Sequence, residues 1–505
     1  MQTKTISSCL TRRGVRRWSL IIGVLSLTTA VSASMVPNLF PYIDPTGIVS
    51  TYNTAGAIDS RNPFFQSLGT NDRSCGTCHL AGNAFGLSAR QAQDRFVASG
   101  GRDPLFAPVD GANCPNAIPG DPGAHSALLK NGLFRIELPV PQGAEFSIRA
   151  VRDPFGCALV TDPRSGRQNI SVYRRPLPTA NLRFLSTVMF DGRETVRPLT
   201  DAATFEANLV ADLMHQSVDA TLGHAQATAA PTLEQQAAIV RFELGLSSAQ
   251  MSDQNAGSLS VSGASGGPVA ISKQVSYPGI NDTLGKDPTG AAFNPLVFTL
   301  FSPWQDLQGG SASEARSAIA AGEAIFNTHP LTISHVRGLN DNPAVAAALG
   351  ASLPIPAFQG TCTTCHNTPN VGNHSSPLPL DIGTSHDLAN EKDVQVTGAI
   401  SGLSFPDVPV YEISGCPNPF PDPRRPNAQY VIYTTDPGMA LITGLCQDVN
   451  RIKGPILRGL AARAPFFHNG AAKDVHEVVG FYDQRFQMNL SEEEKAQLAA
   501  FLNSL

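Results

Sequence analysis

Two short stretches of the chain repeat one chemical arrangement: Cys75-Gly-Thr-Cys78-His79 and Cys362-Thr-Thr-Cys365-His366. Two thiols three positions apart, small residues between them and an imidazole immediately after form the frame that attaches a c-type haem. The thiols add to the two vinyl groups, and the histidine takes the iron from the proximal side. A redox CxxC pair would leave both histidines unexplained. A zinc site would want four clustered ligands, whereas the frames lie 287 residues apart. The spacing therefore predicts two covalently bound haems c, attached through Cys75, Cys78, Cys362 and Cys365, with His79 and His366 as proximal iron ligands.

That chemistry implies a compartment. Lys4, Arg12, Arg13, Arg16 and Arg17 precede an apolar run from Trp18 to Val31, and Val31-Ser32-Ala33 supplies small residues for cleavage. This is the layout of a secretory signal over residues 1–33, with an uncleaved anchor as the other reading. Thr11-Arg12-Arg13 hints at a twin-arginine signal. Haem attachment on an unfolded, reduced chain after export favours the general secretory route, and the protein is expected to be periplasmic or secreted. Cys9 lies in the signal, so Cys114, Cys157, Cys416 and Cys446 remain, an even number in an oxidising compartment. Of three possible connectivities the local one, Cys114–Cys157 with Cys416–Cys446, is favoured. On the chain-entropy view, loops of that size contribute roughly 3–4 kcal/mol each.

The remaining composition narrows the class. A chain of 505 residues suggests two or three domains. Only 15% of residues are charged, while 44 Gly and 39 Pro imply long, turn-rich connections. Formal charge is −5, and removing residues 1–33, which hold five basic and no acidic residues, leaves about −10. Such a chain is a poor nucleic-acid or anionic-membrane binder and attracts a basic soluble partner. Beyond residue 33 there is no further long apolar run, so no stable membrane span is expected after signal cleavage.

Helix signals bracket both frames. Ser88–Ser99 reads as a helix after the first. Thr232-Leu-Glu-Gln235 is a capping box opening a helix to about Gln250. Ser311-Ala-Ser-Glu314 opens another to about Phe326, and Ser491-Glu-Glu-Glu494 a third, with Leu498, Phe501, Leu502 and Leu505 on one face. The Gly- and Pro-rich region from Gly100 to Pro198 reads as loops with short strands, and Leu296–Phe301 as β structure. The expected fold is mainly α: two cytochrome c-like haem domains with long irregular loops and minor β. Residues 34–255 form the first domain, 256–310 an interdomain crossing and 311–505 the second.

Several further blocks carry a family resemblance: Leu177-Pro-Thr-Ala-Asn181, Met189-Phe-Asp-Gly-Arg193, Gly322-Glu-Ala-Ile-Phe326, Asp436-Pro-Gly438, Lys453-Gly-Pro-Ile-Leu-Arg-Gly-Leu460 and Ala464-Pro-Phe-Phe-His-Asn-Gly470. Together with the frames they resemble the bacterial di-haem cytochrome c peroxidase superfamily, which includes the MauG enzymes and the di-haem rubber oxygenase. The resemblance covers about half the chain beyond the signal. It implies an electron-transfer haem at His366 and a reactive haem at His79. It implies His468 as the second iron ligand of the His366 haem, as in the oxygenase type, with Tyr482, as in the MauG type, as the alternative and Met439 or Met488 behind them. Asp212 matches the acid/base position best, with Gln216 and His224 as rivals and Phe205 as an aromatic cap. Phe190 stands where the family has an inter-haem Trp, and Trp304 reads as packing. Arg175 and Arg463 fall at the family's calcium positions, which makes a calcium ion there doubtful. His374 and His386 are read as propionate partners or as solvent-facing residues.

The function these readings imply is an exported di-haem oxidoreductase. A small soluble cytochrome c or cupredoxin feeds the C-terminal haem, and peroxide, or O2, is reduced at the N-terminal one. The rival readings are an electron carrier with both irons capped, a MauG- or oxygenase-like enzyme acting on an organic or protein substrate, and a structural haem protein without turnover.

Overall fold

Runs of alternating apolar and polar residues build more sheet than the helix signals suggest. In the computed structural model, which describes residues 34–162, 166–386, 407–421 and 430–505, about 31% of the chain is helical and 17% is strand. The expectation of a mainly α fold is therefore overturned. The reason lies in segments such as Phe134–Pro139, Ser147–Arg152 and Gln168–Arg174, whose period-2 patterns suit half-buried strands. The expected signal, residues 1–33, lies outside the described residues. None of the described helices is long and apolar enough to cross a membrane.

The sheets tie distant stretches together. Gly47–Asn53 pairs antiparallel with Leu246–Asp253, joining the start of the first half to its end. Ser147–Arg152 pairs with Val410–Ser414, which pairs in turn with Val431–Thr434, so one three-stranded sheet draws on both halves of the chain. Phe134–Pro139, Gln168–Arg174 and Leu159–Thr161 form a third sheet.

The helices largely start where capping chemistry places them. Thr232 Oγ1 accepts the Gln235 N–H while Gln235 Oε1 accepts the Thr232 N–H, opening Leu233–Gly245. Ser491 and Glu494 do the same for Glu492–Asn503. The first of these stops five residues short of Gln250, because Leu246 onward enters the sheet with Gly47–Asn53. Gly310–Thr328 starts on Gly309 rather than on a Ser311 box. A longer helix, Phe205–Gly223, had no sequence signal assigned to it.

Gly310–Thr328 and Glu492–Asn503 cross closely. A Cβ on Gly322 would lie 2.0 Å from the Gln497 carbonyl oxygen, so only glycine permits this approach. Phe298, Phe301, Trp304, Phe326 and Phe501 fill the core beside that crossing. Leu296–Phe301 is not a strand. Its backbone donors go instead to side chains of Gly310–Thr328: Phe298 N–H to Asn327 Oδ1, and Leu300 and Phe301 N–H to Glu323 Oε2. Trp304 is fully buried, and its indole donates to the Val261 carbonyl. The cysteines pair locally, Cys114 with Cys157 and Cys416 with Cys446, at Cα separations of 6.0 and 5.4 Å.

Two candidate haem sites

Each CxxCH frame is a single tight turn held in the same way. Thr77 Oγ1 accepts the Ser74 N–H and Thr364 Oγ1 accepts the Thr361 N–H, both at 3.0 Å. The His79 N–H returns to the Cys75 carbonyl and the His366 N–H to the Cys362 carbonyl, again at 3.0 Å. In each case the histidine ring is oriented by a backbone acceptor. Nδ1 of His79 donates to Phe85 O at 3.1 Å, and Nδ1 of His366 to Gly372 O at 2.6 Å. This fixes the tautomer and leaves Nε2 for the cavity, the arrangement an iron-binding imidazole needs. Burial pushes His79 down to about 4 and lowers His366 as well, so both rings stay neutral.

Both frames open onto substantial cavities. The first encloses about 1540 Å³ of empty space and the second about 1780 Å³, part of it open to solvent. Cys75, Cys78 and His79 line the first; Cys362, Cys365 and His366 line the second. These four cysteines are the free ones among the described residues. Burial pushes the Cys78 thiol up to about 11 and those of Cys362 and Cys365 up to about 12, and raises Cys75 further. Thiols of that kind are not poised for disulfide exchange. Paired thiols, a neutral oriented imidazole and an adjoining apolar cavity fit a c-type haem.

The first cavity carries a polar wall. Arg73, Asp110, Gln216, His224 and Glu243 all line it. Buried Asp110 binds Arg73 through Oδ1 and accepts from Nδ1 of His224 through Oδ2. Arg73 is itself anchored on the Pro104 and Leu105 carbonyls, both at 2.7 Å. Burial would raise the Asp110 carboxyl, but Arg73 and His224 overcome it and hold it below the ordinary range. His224, half-exposed at the end of Phe205–Gly223, keeps Nε2 available. Glu243 is buried with no partner for Oε2, and burial pushes its carboxyl up to about 8.

The second cavity is lined mostly by aliphatic and aromatic side chains, and His468, Tyr482 and Met488 share it with His366. His468 is 3% exposed; its Nε2 lies 3.3 Å from Ser385 Oγ and 3.7 Å from Asp436 Oδ2. Burial pushes this imidazole down to about 4 despite Asp436. Burial also raises the Tyr482 phenol, with the Cys365 and Cys362 thiols adding to the effect. Asp436 is gripped by Arg174, through Nε at 2.6 Å and Nη2 at 2.9 Å, while Arg174 Nη1 binds Asp191. The Asp-Gly-Arg and Asp-Pro-Gly blocks thus meet on one buried arginine.

Other candidate residues fall elsewhere. Asp212 is buried away from the first cavity, its carboxylate accepting the Arg197 N–H at 3.0 Å. Phe205 packs in an apolar cluster and does not line the cavity. Met439 does not line the second cavity. Phe190 lines both cavities and meets His468 edge-on at 6.0 Å. His374 lines the second cavity, and His386 is buried against Asp381 at 3.0 Å. Arg175 is buried, and its guanidinium donates to the carbonyls of Leu87, Asn131, Gly132 and Arg463. Arg73, Asp110, Glu243 and Lys453 escaped the sequence reading. Only Glu243 had a signal, a carboxyl one turn from Ile239 on an apolar helix face.

No family model matches the chain. It is 31% identical over 177 residues to cytochrome-c peroxidase IdrP2 of Denitromonas iodatirespirans, covering 33% of this chain and 41% of that protein. It is 26% identical over 159 residues to cytochrome-c peroxidase IdrP1 of Pseudomonas sp. strain SCT, covering 28% and 36%. The match thus spans about two fifths of these relatives' length. A solved MauG-like protein associated with microbial copper homeostasis overlays 88% of this chain and 87% of its own at 14% identity, with a TM-score of only 0.32. Over the matched part the chain is similar to these curated cytochrome-c peroxidases, and it carries two CxxCH frames together with the blocks around Arg174 and His468.

Proposed function

We propose that the protein is an exported di-haem oxidoreductase that reduces peroxide at the first cavity with electrons received at the second. The observation that carries the reading is the contrast in proton-handling groups: the first cavity holds the Arg73–Asp110–His224 chain and the second holds buried, neutral His468 and the partly buried Tyr482. A haem bound covalently at each frame would supply the electron-storing and peroxide-binding iron.

The chain's own residues do the rest. His79 and His366 hold the proximal positions. Asp110 fixes the Nδ1 proton of His224, which leaves Nε2 to take a proton from peroxide's inner oxygen and return it to the outer one. Gln216, one helical face away on Phe205–Gly223, offers an amide to the same space. His468, kept as a neutral ring by burial, would hold a haem at the His366 frame from the second side. Tyr482 would have to ionise in an apolar pocket to compete. The acidic surface left after signal removal favours a small basic cytochrome or cupredoxin as donor, met in the periplasm or outside the cell.

The test is the electron paramagnetic resonance spectrum of the oxidised, haem-loaded protein before and after peroxide. One high-spin and one low-spin ferric signal are expected, with peroxide consuming the high-spin one. Two low-spin signals indifferent to peroxide, in both the oxidised and the half-reduced protein, would make it an electron carrier.

A further inference from the structure

Three cations stand in the wall between the cavities without an acid among the described residues to balance them. Lys453 and Arg175 line both cavities, and Arg463 lines the second. All three are buried. Arg175 and Arg463 give their guanidinium protons to backbone carbonyls. The Lys453 ammonium has no hydrogen-bond or ion-pair partner among the described residues, although its backbone N–H is fixed on Phe190 O at 2.8 Å. The neighbouring carboxylates are already engaged: Asp436 and Asp191 are held by Arg174, and Asp191 also by Arg193. Burial lowers all three cations, Lys453 to about 8, and Arg463 depresses both Lys453 and Arg175 further.

Uncompensated buried charge is costly, and like charges gathered in one wall make it worse. The arrangement is sensible when anions enter from the cavities. Each haem would bring two propionate carboxylates, and among the described residues the wall the cavities share carries Lys453 and Arg175. We propose that the Lys453 ammonium, beside the positive charge of Arg175, binds propionate carboxylates of both haems, so that this wall is a single anion site filled from the two cavities. The inference rests on the two-haem reading and deepens it. One ammonium facing both cofactors favours the added electron on either.

The experiment is a redox titration of the holoprotein followed by absorbance at each haem, with wild type compared with Lys453→Met. Both midpoint potentials should fall together, Lys453→Arg should restore most of the loss, and Lys473→Ala, at an exposed lysine, should move neither. If the methionine variant does not accumulate, Lys453→Gln gives the same comparison. A shift at one haem only, or at neither, overturns the shared site. Acetate titrated into wild type distinguishes a free carboxylate from a propionate. Saturable shifts with acetate, absent in Lys453→Met, would assign the wall to a soluble anion and overturn the propionate assignment. A pyridine haemochrome count below two per chain would sink the two-haem reading, and the shared anion site with it, before any potential is measured.

Discussion

The cavity behind Cys75–His79 has Arg73, Asp110, Gln216, His224 and Glu243 in its wall, with His224 half-exposed to solvent; the cavity behind Cys362–His366 has, apart from its buried cations, mostly aliphatic and aromatic walls, with His468 shut inside and Tyr482 partly buried. Yet the two frames themselves are built alike, down to the Thr that accepts the N–H three residues back and the carbonyl that receives Nδ1. The comparison teaches that the frame settles attachment and proximal ligation, while the opposite wall settles what else can happen. Protons can be supplied and withdrawn at the first site. At the second, buried neutral His468 beside an apolar wall is what the proposed electron-exchanging site would need.

The largest effect should come from removing one proximal ligand. His79→Ala should erase the peroxide-sensitive high-spin signal and leave the low-spin signal in place, while His366→Ala should do the reverse. Loss of both signals in either variant would mean that the sites are not separable. Next is the acid/base assignment. His224→Gln should slow the peroxide reaction by about 10²-fold, and Asp110→Asn should slow it less, since it misplaces the imidazole without removing it. Asp212→Asn should leave the rate within about twofold, because that carboxylate faces the Arg197 backbone. A collapse in Asp212→Asn with His224→Gln unaffected would exchange their roles. A smaller and more local change separates the ligand candidates: His468→Gln should alter the low-spin signal, and Tyr482→Phe should leave it unchanged.

These contrasts were only partly readable in the sequence. The haem frames were legible because attachment chemistry demands consecutive residues, and the capping boxes at Thr232 and Ser491 because capping is local. The amount of strand was underestimated because sheets such as Ser147–Arg152 with Val410–Ser414 are made by partners about 260 residues apart, and no local signal announces such a pairing. The same distance explains the acid/base position. The position relative to the Asp-Gly-Arg block points to Asp212. Helix phase turns it off the cavity: Leu213, Gln216, Ser217, Ala220 and Thr221 share the cavity-facing side. Asp110 and Arg73 reach the same cavity from loops, with no periodicity to reveal them.

The subtlest test of the difference between the cavities is thermodynamic. Glu243 in the first wall is buried, and its Oε2 has no partner. Burial lifts its carboxyl from 4.5 to about 8. In the folded protein it therefore keeps a proton that the unfolded chain gives up. Between about pH 4.5 and 8 the folded state binds more protons than the unfolded one, so this group's contribution to stability is fully present below the lower value and declines as pH rises. Glu243→Gln, which keeps the shape and cannot ionise, should remove that decline. Measured as urea midpoints of the holoprotein at a series of pH values, wild type and variant should coincide near pH 4.5 and separate toward pH 8, with the variant the more stable. The buried, neutral histidines titrate identically in both proteins and cancel in the difference. Parallel curves across the whole range would mean that Glu243 is ionised in the folded state, which would place a fixed negative charge, rather than a proton reserve, in the wall of the first cavity.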